Sequence, residues 1–302
     1  MLLARLQVRM RSTSLLKFFL LTYAATWTVF IAVGMLAAKM AAAGLPRPGL
    51  LVMMVLPGVF APAIVALMLT ACAEGRAGVT ALLQPLFHWR VGLKWYAFAI
   101  CFIAAIKLTV ALILRAATGA WPRFGQVAWY IMLAATIFST VIGGQAGEEI
   151  GWRGYALPRL AQRFGLAGGS VLLGVIWATW HLPLFFIPGA ELLGQSFPVY
   201  LLQVTALSVV FAWLYWRTEG SLLLTMLLHA AINNTKDIVP SALQSATHPF
   251  TVNASRVAWL TPTLLWIVAA YFLVRMRKER TIPQRTAEAA AVSPARPGIL
   301  QQ

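Results

Sequence analysis

Eight stretches of this chain are apolar for long enough to cross a bilayer, and that leaves very few folds open to it. A helix needs about 20 apolar residues to span the hydrocarbon. Inside lipid every backbone N–H and C=O must be paired, which admits only helices or a closed barrel. The stretches are Leu15–Ala38, Leu50–Cys72, Trp95–Leu114, Val127–Ala146, Leu166–Ile187, Phe197–Trp216, Ser221–Thr235 and Val257–Val274. The seventh is short and turns polar towards its end. Composition agrees, with 60% hydrophobic and 11% charged residues, where soluble domains carry about 25% charged. The expected fold is all-α, a polytopic transmembrane helix bundle of about eight spans. Residues 1–275 read as one domain, and the tail 276–302, basic and then polar, reads as disordered.

A net charge of +16 would suggest nucleic acid as the partner of a soluble protein. In a membrane chain it has a plainer cause, because lysine and arginine collect in cytoplasmic loops. With both termini cytoplasmic, the inner side holds the basic N-terminus, Arg76, Arg90, Lys94, Arg153, Arg159, Arg163, Arg217 and the RMRKER cluster at 275–280. The outer side keeps Lys39, Arg47, Arg115, Arg123, Lys236 and Arg256, and Lys107 lies within the third span. The expected partner is thus the lipid bilayer, not nucleic acid, and RMRKER suits an anionic inner leaflet. The first apolar run is longer than a signal-peptide core and reads as a retained span. Between spans two and three, AEGRAGVTALLQPLFHWRVGLK, which includes His88, reads as an interfacial elbow. Cys72 and Cys101 lie in apolar runs and read as packed small residues.

Against this background Glu148 and Glu149 need an explanation, since they continue the fourth span. Ionisable groups at membrane depth are costly and face a partner or a cavity. Arg153 stands four residues after Glu149, the favourable order for a helical ion pair. Glu148 is five residues from it and points elsewhere. Adjacent carboxylates repel, which favours a proton on one of them, as a general acid or base requires. Taken alone, the stretch is equally compatible with an ordinary Glu–Arg pair at a helix end. Two histidines weigh against that: His181 in the fifth span, with Trp177 one turn before it, and His229 in the seventh, with Asn233 one turn after. Helices in a bundle can gather such side chains into one site. Depth raises a difficulty. At 1.5 Å per residue His229 lies roughly 14 Å, and His181 about 20 Å, from the inner ends of their spans, whereas Glu148 falls at the inner edge. Convergence requires the fourth span to tilt or continue, or the fifth to begin nearer Gly168 and Gly169.

EEIGWR fits an EExxxR pattern, WATWH fits FxxxH with Trp177 in the Phe place, and HAAIN fits HxxxN. In that order, within residues 147–233, they resemble the CPBP family of intramembrane proteases. That family is also called the ABI family or CAAX proteases and bacteriocin-processing enzymes, and it includes the type II CAAX prenyl endopeptidases. The resemblance implies an intramembrane endopeptidase acting on a membrane-associated protein or peptide. It makes Glu148 the water-activating residue, has Glu149 and Arg153 orient the site, and has His181, His229 and Asn233 complete it. Trp177, a pocket wall, is the departure, a larger ring with an added N–H donor, expected to alter pocket shape more than chemistry. The family is often described as metalloproteases. Glu148, His181 and His229 are a usable set for zinc or another divalent metal, and a metal-free, glutamate-activated water is the alternative. A non-catalytic immunity or regulatory protein is a second reading, and a transporter a third, though no repeated halves are evident. Rich Ala, Leu and Arg content suggests a bacterial inner-membrane protein.

Overall fold

A computed structural model describes residues 12–45, 48–121, 129–141, 145–235 and 246–281. Among them every regular element is helical. The long elements are α1 (Ser12–Ala42), α2 (Pro48–Val59), α3 (Ala61–Leu83), α4 (Leu93–Thr118) and α5 (Trp129–Val141). They are followed by α6 (Gln145–Glu149), α7 (Leu157–Trp180), α8 (Phe197–Arg217), α9 (Leu222–Thr235) and α10 (Arg256–Met276). Six helical stretches among the described residues are long and apolar enough to cross a membrane, and α9 is a shorter apolar helix. The first two predicted residues of the fourth span and residues 282–302 of the predicted tail lie outside the described residues, as do 142–144. The predicted elbow between spans two and three is present. α3 breaks at Gly75, whose φ is +63°, and a 3-10 turn at Gln84–Phe87 leads to α4.

The fourth and fifth spans differ from expectation. The carboxylates do not end a span. They open a helical arm that runs from Gln145 through a π-helical turn, Ile150–Ala156, to Phe164. Proline explains the wide turn: Pro158 has no N–H for the carbonyl one turn back and its ring would crowd it. The chain instead bonds Leu157 N to Trp152 O, five residues back. At Gly165 the backbone takes φ +75° and ψ 159°, a conformation open only to glycine, and reverses. Residues 166–180 return antiparallel to the first arm. A Cβ on Gly169 would stand 3.0 Å from the backbone of Leu160 and Ala161, which an unbroken helix would hold about 12 Å away. The rings of Trp152 and Trp180 meet at 5.7 Å.

This hairpin resolves the depth difficulty. Glu148 and His181 stand at nearly equal distances from Gly165, about 25 Å along their arms at 1.5 Å per residue. His229 joins them along α9, about 10 Å from Leu222 by the same rise. Leu222 itself packs beside Gly154 on the first arm. The sequence reading placed Glu148 at the inner edge because two charges were taken to mark water. Paired charges can instead be carried inside the bundle.

The helix ends are sorted by charge. Where the hairpin turns, Leu166 N donates to Glu279 O at 2.7 Å, Arg159 reaches Glu74 at 3.7 Å, and Arg217 lies over the Trp95 ring at 5.6 Å. Arg76, Arg90, Lys94, Arg163, Arg275, Arg277, Lys278 and Arg280 share that end. The opposite end, where Phe197 N donates to Pro249 O, carries Lys39, Arg115 and Arg256. Arg153 departs from its predicted loop position. It is wholly buried. The central helix is α8, with 72% of its apolar window buried inside the protein, against 22% for the first span.

Candidate active site

Three elements meet at the predicted residues: the first arm of the hairpin, the end of its second arm, and the middle of α9. Glu149 is fully buried, and its Oε1 accepts hydrogen bonds from two directions. Arg153 Nη1 donates at 2.8 Å and His229 Nδ1 at 2.9 Å. Arg153 is also fully buried, its guanidinium 4.2 Å from the Trp177 ring centroid and 3.9 Å from that of Phe211. Cation–π contacts of this kind offset part of the cost of taking an arginine out of water. Glu149 Oε2 and Arg153 Nε and Nη2 have no hydrogen-bond partner among the described residues. The expected Glu149–Arg153 pair is therefore present, and it holds His229 as well.

Glu148 points elsewhere, as its position predicts. Its Oε2 accepts the indole N–H of Trp177 at 2.7 Å. Oε1 has no hydrogen-bond partner among the described residues, and the residue keeps 6% of its surface open. The two carboxylates are thus chemically distinct: Glu149 is wholly buried and paired with cationic or cation-forming side chains, whereas Glu148 is tethered by an uncharged indole and keeps part of its surface open.

His181 follows the last residue of α7. There the helix tightens, and the backbone N–H of His181 bonds to Ala178 O instead of Trp177 O. The orphaned Trp177 carbonyl, one of the unpaired acceptors at any helix end, takes His181 Nδ1 at 2.8 Å. A carbonyl only accepts, so Nδ1 carries the hydrogen and Nε2 is the free nitrogen. In His229 the carboxylate fixes Nδ1–H in the same way. Both imidazoles therefore turn Nε2 away from the scaffold. Aromatic edges set their planes: Trp180 lies 4.6 Å from His181, and Trp177 and Phe211 lie 5.4 and 5.7 Å from His229. Trp180 is in turn held from α1, its indole N–H on Thr26 Oγ1 at 2.9 Å.

Glu148, Glu149, Arg153, Trp177, His181 and His229 are thus brought into one site. Asn233 sits one turn beyond His229 on α9 and is exposed. Its neighbour Asn234 bonds to Thr136 Oγ1 at 3.3 Å. Glu148, His181 and His229 do not form a metal-binding group: among the described residues no three His, Cys, Asp or Glu lie close enough together to hold an ion. Two contributors escaped the sequence reading, Tyr200 and Phe211, both on α8. The Tyr200 ring meets His181 at 5.6 Å and Phe185 at 5.2 Å. A tyrosine one turn into an apolar span looks like an ordinary interfacial anchor. Nothing in the sequence of α8 separates Phe211 from its neighbours.

Comparison with known proteins bears on the same segment. Residues 127–235 match the family model for "Type II CAAX prenyl endopeptidase Rce1-like". Over 201 residues the chain is 25% identical to CAAX prenyl protease 2 of Methanococcus maripaludis, an alignment covering 63% of this chain and 74% of that protein. The matched stretch contains every residue of the site. The segment that carries the site is similar to the Rce1-like type II CAAX prenyl endopeptidases, the same resemblance that the order of its three motifs carries.

Proposed function

We propose that this protein is an integral membrane endopeptidase that hydrolyses a peptide bond of a membrane-associated protein or peptide, with Glu148 activating the water. One observation carries this reading: Glu149 is wholly buried and ion-paired to Arg153 and His229, whereas Glu148 meets no cation among the described residues, is held through one oxygen by Trp177 and keeps part of its surface open, with His181 and His229 each bonded through Nδ1. The chemistry follows from those atoms. Glu148 Oε1 takes a proton from water held by His181 Nε2, and the hydroxide oxygen bonds to the scissile carbonyl carbon. The carbonyl oxygen becomes an oxyanion. The motif resemblance offers His229, through an Nε2–H, and Asn233 as donors to it; donors aimed at that charge are the largest catalytic effect of this kind. Collapse breaks the C–N bond, and the proton on Glu148 passes to the departing amine.

Two imidazole nitrogens and a carboxylate oxygen are chemically a zinc set. Among the described residues they are not placed closely enough to share one ion. The relative's name supports a substrate cut near an apolar or lipidated C-terminus, and the Ala-, Leu- and Arg-rich composition supports a bacterial inner-membrane location. The test compares new protein C-termini in membrane fractions from cells carrying wild type, Glu148→Ala, His181→Ala and His229→Ala. Loss of the same cleavage products in all three, with membrane insertion unchanged, is the expected result. Retained cleavage in all three would end the hydrolytic reading.

A further inference from the structure

We infer that Trp177 is the positioning residue of this site, its indole N–H fixing the water-activating carboxylate of Glu148 while its carbonyl oxygen fixes His181. The inference rests on the hydrolytic reading above. The motif resemblance puts phenylalanine at this place, so tryptophan adds a larger wall and an N–H donor whose acceptor the sequence does not name. The structure shows a bond that phenylalanine cannot make.

The polarity of that bond is unambiguous. An indole Nε1 only donates and a carboxylate only accepts. At 2.7 Å it is a short, charge-assisted bond, of the class that is strongest and most directional in proteins. It also joins the two arms of the hairpin, so it sets one carboxylate oxygen relative to the helix that carries His181. The indole itself cannot swing. Arg153 lies over one part of it at 4.2 Å, and the rings of Phe211 and His229 meet it edge-on at 5.5 and 5.4 Å. Rotating the indole would break the aromatic contact that also sets the plane of His229. One residue thereby touches all three groups of the proposed reaction: Glu148 through the side-chain N–H, His181 through the backbone carbonyl, and His229 through the ring edge.

Trp177→Phe separates these roles, because it keeps an aromatic ring and the carbonyl and deletes only the N–H. The assay uses a fluorogenic peptide built on a cleavage site found in the C-terminus comparison. We expect kcat to fall about ten- to a hundredfold, the range of a hydrogen bond to a charged group, with KM within twofold and the thermal midpoint unchanged. An unchanged kcat in Trp177→Phe, alongside an inactive Glu148→Gln, would overturn the inference and leave the hydrolytic reading intact. A fall accompanied by a collapsed thermal midpoint would reduce Trp177 to a packing residue and overturn it equally. Wild-type cleavage by Glu148→Gln would instead overturn the hydrolytic reading. A second readout needs no substrate. The ultraviolet resonance Raman difference between wild type and Glu148→Ala should contain one strongly hydrogen-bonded indole N–H, absent when both spectra are taken in the Trp177→Phe background. A flat difference spectrum would refute the bond itself.

Discussion

Removing Arg153 tests the least ordinary feature of this interior, an arginine and a glutamate both wholly out of water. Arg153→Leu leaves Glu149 as a buried carboxylate with His229 as its one remaining bonded neighbour. Breaking a buried pair from one side costs about 3–5 kcal/mol. The guanidinium also lies on the rings of Trp177 and Phe211, and a desolvated cation–π contact adds about 2 kcal/mol. Leucine recovers part of this by filling apolar space, so a net loss of about 4 kcal/mol is expected, a large fraction of the roughly 5–15 kcal/mol that holds a typical domain together. Glu149→Leu alone should cost a comparable amount, since it strands the arginine. The double variant is the informative one. Replacing both members of a buried pair by apolar residues of similar volume is often neutral or stabilising. Arg153→Leu with Glu149→Leu should therefore recover most of the stability of either single variant, measured by thermal unfolding in one detergent. It should stay inactive, because His229 has lost the group that fixes its Nδ1. Additive losses in the double variant would refute the reasoning. They would mean that the two side chains contribute through separate contacts and not through one pair.

The remaining predictions are simpler. Tyr200→Ala removes the ring that meets His181 and Phe185 and so loosens the plane of the His181 imidazole; kcat should fall, and a wild-type rate would confine Tyr200 to packing. A glutamate-activated water with no metal predicts cleavage that survives exhaustive dialysis against a chelator, checked with the same fluorogenic peptide; loss of activity restored by added zinc would show that Glu148, His181 and His229 draw together around an ion. Gly165→Ala forces a Cβ into a glycine-only conformation and should cost about 1–3 kcal/mol in thermal unfolding, with the hairpin and therefore the site loosened. Gly151→Ala places a Cβ 2.4 Å from that of Pro62 and 2.6 Å from its carbonyl carbon, so folded yield in membranes should drop; full yield would mean that α3 can shift away.

The apolar runs made an all-helical membrane bundle legible, because length and hydropathy leave so few ways to satisfy a backbone in lipid. The elbow at Gly75 and the sorting of charge between helix ends were legible for the same reason: each follows from where a charged side chain can reach water. The clustering of Glu148, Glu149, Arg153, Trp177, His181 and His229 was legible, but not which atoms bond to which. Glu149 with Arg153 follows from helical spacing. That His229 shares the same oxygen of Glu149 does not, because it needs the register of α9 against the hairpin. Trp177 was visible as a donor, but which acceptor it meets depends on how the two arms pack.

Depth failed for an instructive reason. Glu148 and Glu149 looked like a boundary because a pair of charges on an apolar helix normally reports water. Their neighbours show what replaces it. Arg153 and His229 neutralise one carboxylate, and an indole N–H tethers the other. With the charge accounted for locally, the helix has no reason to stop, and it runs on until Gly165 permits a reversal. The reversal is what makes the site. It folds His181 back to the level of Glu148, which no straight continuation could do. The carboxylate pair and the glycine therefore depend on each other: without internal partners the arm would have to end at the carboxylates, and without the turn those partners would never meet. Gly165, remote from every reacting atom, should accordingly affect cleavage as strongly as it affects stability, and a Gly165→Ala protein that unfolds early yet cleaves at the wild-type rate would break that link.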